Sequence, residues 1–188
     1  MNVYDFDKTI YKNDCTVDFY FYEIARHPSL IRFLPGQIWG FLGRFLRIHD
    51  KTVMKSYFYK YLKGIKDIDT DIDKFWNSHI QKVNNWYFVK HLNDDLVISA
   101  SADFMVRPAC ERLGITNVIA SLVDKKTGEV LSPNCHGKEK VVRFVNEGFN
   151  KEEIEEFYSD SVSDTPLAEL SQSAYIVKGE KLVEWPKK

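Results

Sequence analysis

Apolar and polar positions change texture three times along this chain. A short apolar run, Asn2-Val3-Tyr4, opens it and stops at Asp5. A strand that begins this early is expected inside a sheet. A turn region follows around Tyr11 to Asp14. From Thr16 to about His91, proline and glycine are sparse and aromatics recur at helical spacing: Phe19, Tyr22, Phe33 and Trp39, then Tyr57, Tyr61, Phe75 and His79. Pro28, Pro35-Gly36, Lys63-Gly64 and the acidic stretch Asp67 to Asp73 punctuate this region, which predicts several helices. After Asn93-Asp94-Asp95 the pattern alternates. Leu96-Val97-Ile98 reads as a buried strand ending at Ser99, and a helix is expected from about Ala102 to Leu113, stopped by Gly114. Val118 to Val123 reads as a strand, with Lys125-Lys126-Thr127-Gly128 turning into Glu129-Val130-Leu131. A helix is expected from Lys138 to around Gly148, a strand at Phe157-Tyr158, a short helix from Pro166 and a strand from Ala174 to Val177.

Strands alternating with helices predict an α/β fold, a doubly wound, mostly parallel sheet. The expected organisation is a core from residues 1–15 and 92–188, with an all-helical cap, 16–91, inserted after the first strand. Parallel sheets of this kind bind ligands beyond the carboxyl ends of their strands. The residues that carry chemistry should therefore stand at strand ends.

Bulk properties narrow the classes. The chain has 188 residues, 44% hydrophobic and 28% charged, which suits a globular protein with a real core. A formal net charge of −1 gives no basic field for nucleic acid. Cys15, Cys110 and Cys135 are odd in number and widely spaced, as expected of reduced thiols in a cytoplasmic protein. Asp5 and Asp7 stand where a secretory leader would be basic and apolar. The most apolar stretch, Leu30 to Ile48, is broken by Arg32, Pro35, Arg44 and Arg47, so no membrane span is expected. His27, His49, His79, His91 and His136 show no ligand spacing and read as structural or surface residues.

The polar residues at strand and helix ends form a set. Asp5 and Asp7 follow the first strand, Ser99 the second, Asp160 and Asp164 a later one, and Lys138 and Lys140 open a helix. Each alone has a bland explanation, as a solvated turn or a helix cap. Together they suit phosphoryl transfer. A carboxylate can attack phosphorus to give an aspartyl-phosphate. Attack by an anion on a dianion needs charge compensation, which Mg²⁺ supplies through oxygen ligands. Asp5, the Asp7 carbonyl and Asp160 are candidate ligands, with a lysine and a hydroxyl for the remaining phosphate oxygens. A second carboxylate, Asp7, can protonate the leaving oxygen.

The chain resembles the haloacid dehalogenase (HAD) superfamily, in the branch similar to phosphoserine phosphatase. The motifs that carry the resemblance are Asp5-Phe6-Asp7-Lys8-Thr9, Ser99 after an apolar strand, a lysine opening the helix after the hairpin, and Asp160-Ser161-Val162-Ser163-Asp164. The resemblance implies a Mg²⁺-dependent phosphatase with Asp5 as nucleophile and Asp7 as general acid/base. It implies phosphate binding by Ser99 and by Lys140 or Lys138, and a metal site of Asp5, Asp7, Asp160 and Asp164. Asp14 stands where relatives use an acidic residue to hold a substrate amine. Lys8 replaces a glycine common in the wider superfamily.

The cap should set the substrate. Its aromatic clusters read first as the core of a helical bundle. The stretch from Arg32 to Arg47, basic and apolar by turns, reads either as a buried helix pair with arginines at its rim or as a surface for peripheral membrane contact. It also resembles the cap of relatives that dephosphorylate phosphatidylglycerophosphate. The expected partner is thus a small-molecule or lipid phosphate ester. Phosphoryl transfer to another acceptor and a non-catalytic binding role on the same fold are the alternatives. A signalling receiver domain fits poorly, since receivers carry their phospho-acceptor on a middle strand and lack a long helical insertion.

Overall fold

A computed structural model describes residues 1–186 of the chain. Six strands form one sheet in the order β3-β2-β1-β4-β5-β6. They are β1 (Asn2–Tyr4), β2 (Leu96–Ala102), β3 (Asn117–Ser121), β4 (Glu156–Ser159), β5 (Ser173–Lys178) and β6 (Lys181–Glu184). The first five run parallel, and β6 turns back antiparallel to β5. Gly179, at φ +61°, lies in the turn between them, a conformation that costs glycine little. This sixth strand is absent from the sequence reading. The expected hairpin around Lys125 is present but short: a bridge pairs Val123 with Val130, the Asp124 N–H donates to the Glu129 carbonyl and the Leu131 N–H to the Leu122 carbonyl, each at 2.9 Å.

Alternation along the strands sorts the core into two layers. Val3, Leu96, Ile98 and Phe157 face one side, where they meet Phe144 and Leu167. These come from α7 (Lys138–Asn146) and α8 (Thr165–Ala168). Tyr4, Val97 and Tyr158 face the other, with Met105, Val106 and Ala109 of α6 (Asp103–Arg112). Tyr4 stacks on Tyr158 at 4.9 Å and meets Tyr87 edge-on at 5.2 Å. Such pairs contribute about 0.5–1.5 kcal/mol each beyond burial.

Five helices lie between β1 and β2: α1 (Cys15–Arg26), α2 (Leu34–Phe45), α3 (Lys51–Tyr59), α4 (Ile68–His79) and α5 (Asn85–Lys90). Aromatics of these helices and of the turn after α3 continue the Tyr4 layer without a break, through Phe19, Tyr59, Tyr61, Phe75 and Trp76. Asp14, Asp50 and Asp67 cap α1, α3 and α4 by accepting from backbone N–H groups of the first turn.

Helix α2 is inside out. The residues it buries are Gln37, Gly40 and Gly43. Gln37 accepts from Tyr20 (2.6 Å) and donates to the Phe58 carbonyl (2.9 Å). A Cβ on Gly40 would stand 2.5 Å from the Tyr57 Cβ, so only glycine permits this approach of α2 to α3. The large apolar side chains point outward, with Phe45 83% exposed and Ile38, Trp39, Phe41, Leu42, Leu46 and Ile48 also exposed. The buried helix pair that the periodicity allowed is therefore half realised. α2 packs closely on α3, but through glycines, and its bulk faces away. No helix among the described residues is long and apolar enough to cross a membrane.

Candidate active site

The carboxyl ends of β1, β2 and β4 open on a cleft of about 410 Å³. The chain leaves β1 at Asp5, whose N–H donates to the Tyr158 carbonyl (2.8 Å), and folds into a tight loop. Within it Thr9 and Tyr11 both donate N–H bonds to the Phe6 carbonyl, at 3.3 and 2.9 Å. Lys8 sits at φ +56°, left-handed backbone in which an L side chain costs roughly 1–2 kcal/mol. Thr9 Oγ1 accepts from the Asp160 N–H (3.0 Å) and so joins this loop to the one after β4.

Lys140, on the first turn of α7, is 1% exposed. Its Nζ lies 2.7 Å from Asp5 Oδ1 and 2.7 Å from Asp164 Oδ2. Burial alone would lower its pKa, but the two carboxylates outweigh burial and hold the ammonium above its usual range. Lys138 is exposed and outside the cleft lining. Of the two lysines left open by the sequence, the fold therefore brings Lys140 to the carboxylates. Burial raises Asp5 to about 7 despite Lys140, with Asp164 adding to the rise. Asp164 Oδ2 also accepts from the Ser159 hydroxyl (2.8 Å), while its buried Oδ1 has no partner. Asp160 is half-buried, lines the cleft and is raised by burial.

Asp7 lies under the amino end of α1, beside Asp14, and is not among the residues lining the cleft. Its Oδ1 accepts from the Cys15 N–H (2.7 Å) and its Oδ2 from the Ser101 hydroxyl. Burial, then Asp14, raises it to about 6, and those two hydrogen bonds hold it back. Ser99 is fully buried and its hydroxyl accepts from the Ser101 N–H (3.0 Å). The β2–β3 register shifts between Ser99 and Ala102, so the backbone bulges there and Ala100, not Ser99, lines the cleft. Asp14 lines the cleft while also capping α1.

The sequence reading missed one wall of the cleft. Lys51, Met54 and Lys55 of α3 line it, with Asn134 and His136 from the segment before α7. Lys55 Nζ donates to the Ala100 carbonyl and to Asn134 Oδ1, each at 2.6 Å, clasping α3 to the core. Lys51 and Lys55, four apart on one helix face, were the available signal.

Donor chemistry fits a hard divalent cation. Asp5, Asp160 and Asp164 offer carboxylate oxygens around one cleft, and Asp164 Oδ1 is a buried acceptor without a donor.

A parallel sheet thus carries carboxylates at its carboxyl edge, joined by a buried lysine. The chain belongs to the family of haloacid dehalogenase-like hydrolases, whose model matches residues 3–169. Among solved structures, it is similar to a protein of unknown function from Bordetella pertussis Tohama I, at 18% identity and TM-score 0.72, covering 93% of this chain and 87% of that one. It is also similar to a phosphoserine phosphohydrolase-like protein from Francisella tularensis subsp. tularensis SCHU S4, at 14% identity and TM-score 0.53, covering 93% and 86%. A probable phosphoserine phosphatase from Vibrio cholerae shares 10% identity at TM-score 0.62, over 92% of this chain and 55% of that one. No curated protein matches the chain significantly. At these identities the structures bear on fold, which is that of the phosphoserine phosphatases.

Proposed function

We propose that the chain is a Mg²⁺-dependent phosphomonoesterase with Asp5 as nucleophile and residues 16–91 as a cap on a core of 1–15 and 92–188. The observation that carries this reading is Lys140, buried between Asp5 and Asp164 at the cleft floor. An Asp5 carboxylate oxygen attacks phosphorus, the bond to the ester oxygen breaks, and an aspartyl-phosphate forms. Asp7 gives its proton to the leaving oxygen, then takes one from the water that cleaves the acyl phosphate. The Cys15 N–H and the Ser101 hydroxyl fix the Asp7 carboxyl for this role. Lys140 neutralises phosphate oxygens, and Ser99 supports the bulge that frames them. Asp5, Asp160 and Asp164, with the Asp7 carbonyl, would hold Mg²⁺, which when bound offsets charge on the phosphoryl group. Phosphate release from an aryl phosphate tests the reading, and activity that survives Asp5→Asn in a clean preparation would sink it. Added alcohols separate hydrolysis from transfer, since a transferase yields new esters rather than phosphate.

Between a phosphoserine-like metabolite and an amphiphilic phosphate ester, α2 favours the second. Between Glu23 and Asp50 the chain has no acidic residue, while Arg32, Arg44 and Arg47 are exposed among the outward apolar side chains. Apolar bulk beside arginines complements an anionic bilayer surface. The same hairpin carries Lys51 and Met54 into the cleft wall, so the outward face and the cleft lie on adjoining helices. The cap is read as resting on anionic lipid and taking a lipid phosphate from it. Sedimentation with anionic against neutral vesicles, beside turnover of phosphoserine and of a lipid phosphate, decides this. Preference for phosphoserine without vesicle binding overturns it, as does retention by a protein partner alone. Three buried free thiols, Cys15, Cys110 and Cys135, favour the cytoplasm.

A further inference from the structure

We propose that Glu23, His27 and Asp71 form a second metal site, for a borderline divalent transition ion such as Zn²⁺, at the end of α1 remote from the cleft. One ligand atom from each of the three lies within 4.8 Å of the others. Glu23 and His27 are one helical turn apart, the i, i+4 spacing that puts two ligands on one face. Asp71 comes from the first turn of α4. The site thus spans two helices, about 13 Å along α1 from Asp14 at the rise of an α-helix. It stands independently of the phosphatase reading.

The case turns on Glu23. It is 0% exposed, and neither carboxyl oxygen has a hydrogen-bond partner. A buried carboxyl with no donor is costly, and native proteins rarely leave one. Its nearest polar neighbours do not relieve it. His27 Nε2 is 4.0 Å from Glu23 Oε2, and Arg26 leans to Asp71 instead, at 3.7 Å. Asp71 adds a second negative charge, and the cations acting on Glu23 are Arg26 and Lys74. A dication between Glu23 and Asp71 removes both problems at once.

Ligand type sets the metal. An imidazole with two carboxylates suits Zn²⁺ or a neighbouring first-row ion better than Mg²⁺ or Ca²⁺, which prefer all-oxygen shells. The His27 side chain is 46% exposed, which leaves an open side for water to complete the shell. The competing explanation is a Glu23 that stays protonated, since burial and Asp71 raise it to about 7.

The test uses the full chain, stripped with chelator and returned to saturating Mg²⁺ so that the cleft oxygens are occupied. Zn²⁺ is titrated by calorimetry, Co²⁺ by its visible absorption, and Tm is followed throughout. The expected result is Zn²⁺ uptake on top of Mg²⁺, with Tm rising roughly 5–10 °C at about 100-fold excess over Kd. His27→Ala, a change at an exposed side chain, should weaken uptake at least about 10-fold. Glu23→Gln should do the same, while Asp5→Asn leaves uptake intact. Zn²⁺ uptake that neither variant weakens overturns the site. So does a chain that takes up neither Zn²⁺ nor Co²⁺; a raised Tm in Glu23→Gln would then mark Glu23 as a neutral core acid.

Discussion

Lys140 Nζ and Asp164 Oδ2 are 2.7 Å apart, which ties the first turn of α7 to the start of α8. Asp5 takes a second bond from the same ammonium. Removing the lysine leaves two carboxylates buried face to face. Lys140→Met should therefore cut phosphate release at least ~10²-fold. It should also lower Mg²⁺-free stability by about 3–5 kcal/mol in urea unfolding. Lys138→Ala should stay within about 0.5 kcal/mol of wild type and keep its activity. Equal, mild losses from both would refute the assignment.

Asp5→Asn should reduce turnover at least ~10³-fold, as loss of a nucleophile does. Chelation should abolish activity and added Mg²⁺ restore it. Wild-type turnover that persists in excess chelator would contradict the metal requirement.

Asp14 has two duties that substitution can separate. Its carboxylate accepts from the Val17 N–H (3.0 Å) as the cap of α1. Asp14→Ala should cost about 0.5–2 kcal/mol, and Asp14→Asn much less, because Asn caps as well. If the charge holds a substrate amine, Asp14→Asn should raise KM for phosphoserine and not for a lipid phosphate. Unchanged KM for both confines Asp14 to capping.

Gly36 and Gly40 lie in the same helix and should respond oppositely to alanine. A Cβ at Gly36 meets nothing within 4 Å, so helix propensity alone should stabilise Gly36→Ala by about 0.5–1 kcal/mol. At Gly40 the clash with Tyr57 should make alanine destabilising by about 1–3 kcal/mol. Thermal unfolding of the pair checks this, and a stabilised Gly40→Ala would mean α2 and α3 pack more loosely.

Asp95 is 2% exposed and accepts from the Leu92 N–H (3.0 Å) and the Tyr87 hydroxyl (3.2 Å). Burial raises it from 3.8 to about 6, against those two bonds. A raised carboxyl favours the fold below its unfolded pKa, and that contribution fades as pH rises through the folded one. Stability attributable to Asp95 should thus fall between pH 4 and pH 7, by about 1–3 kcal/mol at full burial. Asp95→Asn should remove this slope. An unchanged slope in the variant places the titration elsewhere.

Much of the scaffold was legible because short apolar runs end in chemistry. β1, β2, β4 and β5 fell where Val3, Val97, Phe157 and Ile176 predicted burial. β6 did not, because Lys181-Leu182-Val183-Glu184 is largely exposed and its pairing depends on a turn at Gly179. Asp5, Asp160 and Asp164 could be placed because parallel strands bring their ends together. The choice of lysine needed the direction in which a side chain on the first turn of α7 points. Lys55 was illegible for another reason: its partners are 45 and 79 residues away. Glu23 and His27 escape the sequence because the histidine's neighbour is a carboxylate one turn away and not a second histidine.

The Lys55 clasp has a consequence in time. Hydrogen bonds to a charged donor contribute about 1.5–3 kcal/mol each, and Lys55 makes two across the seam between α3 and the core. A bulky ester that passed through that seam would break and reform both in every cycle. Opening of this kind runs on microseconds to milliseconds, and in many enzymes it is slower than bond cleavage. On such a route the ammonium of Lys55 would act as an escapement, and Lys55→Ala should quicken product release while leaving the chemistry proposed at Asp5 untouched.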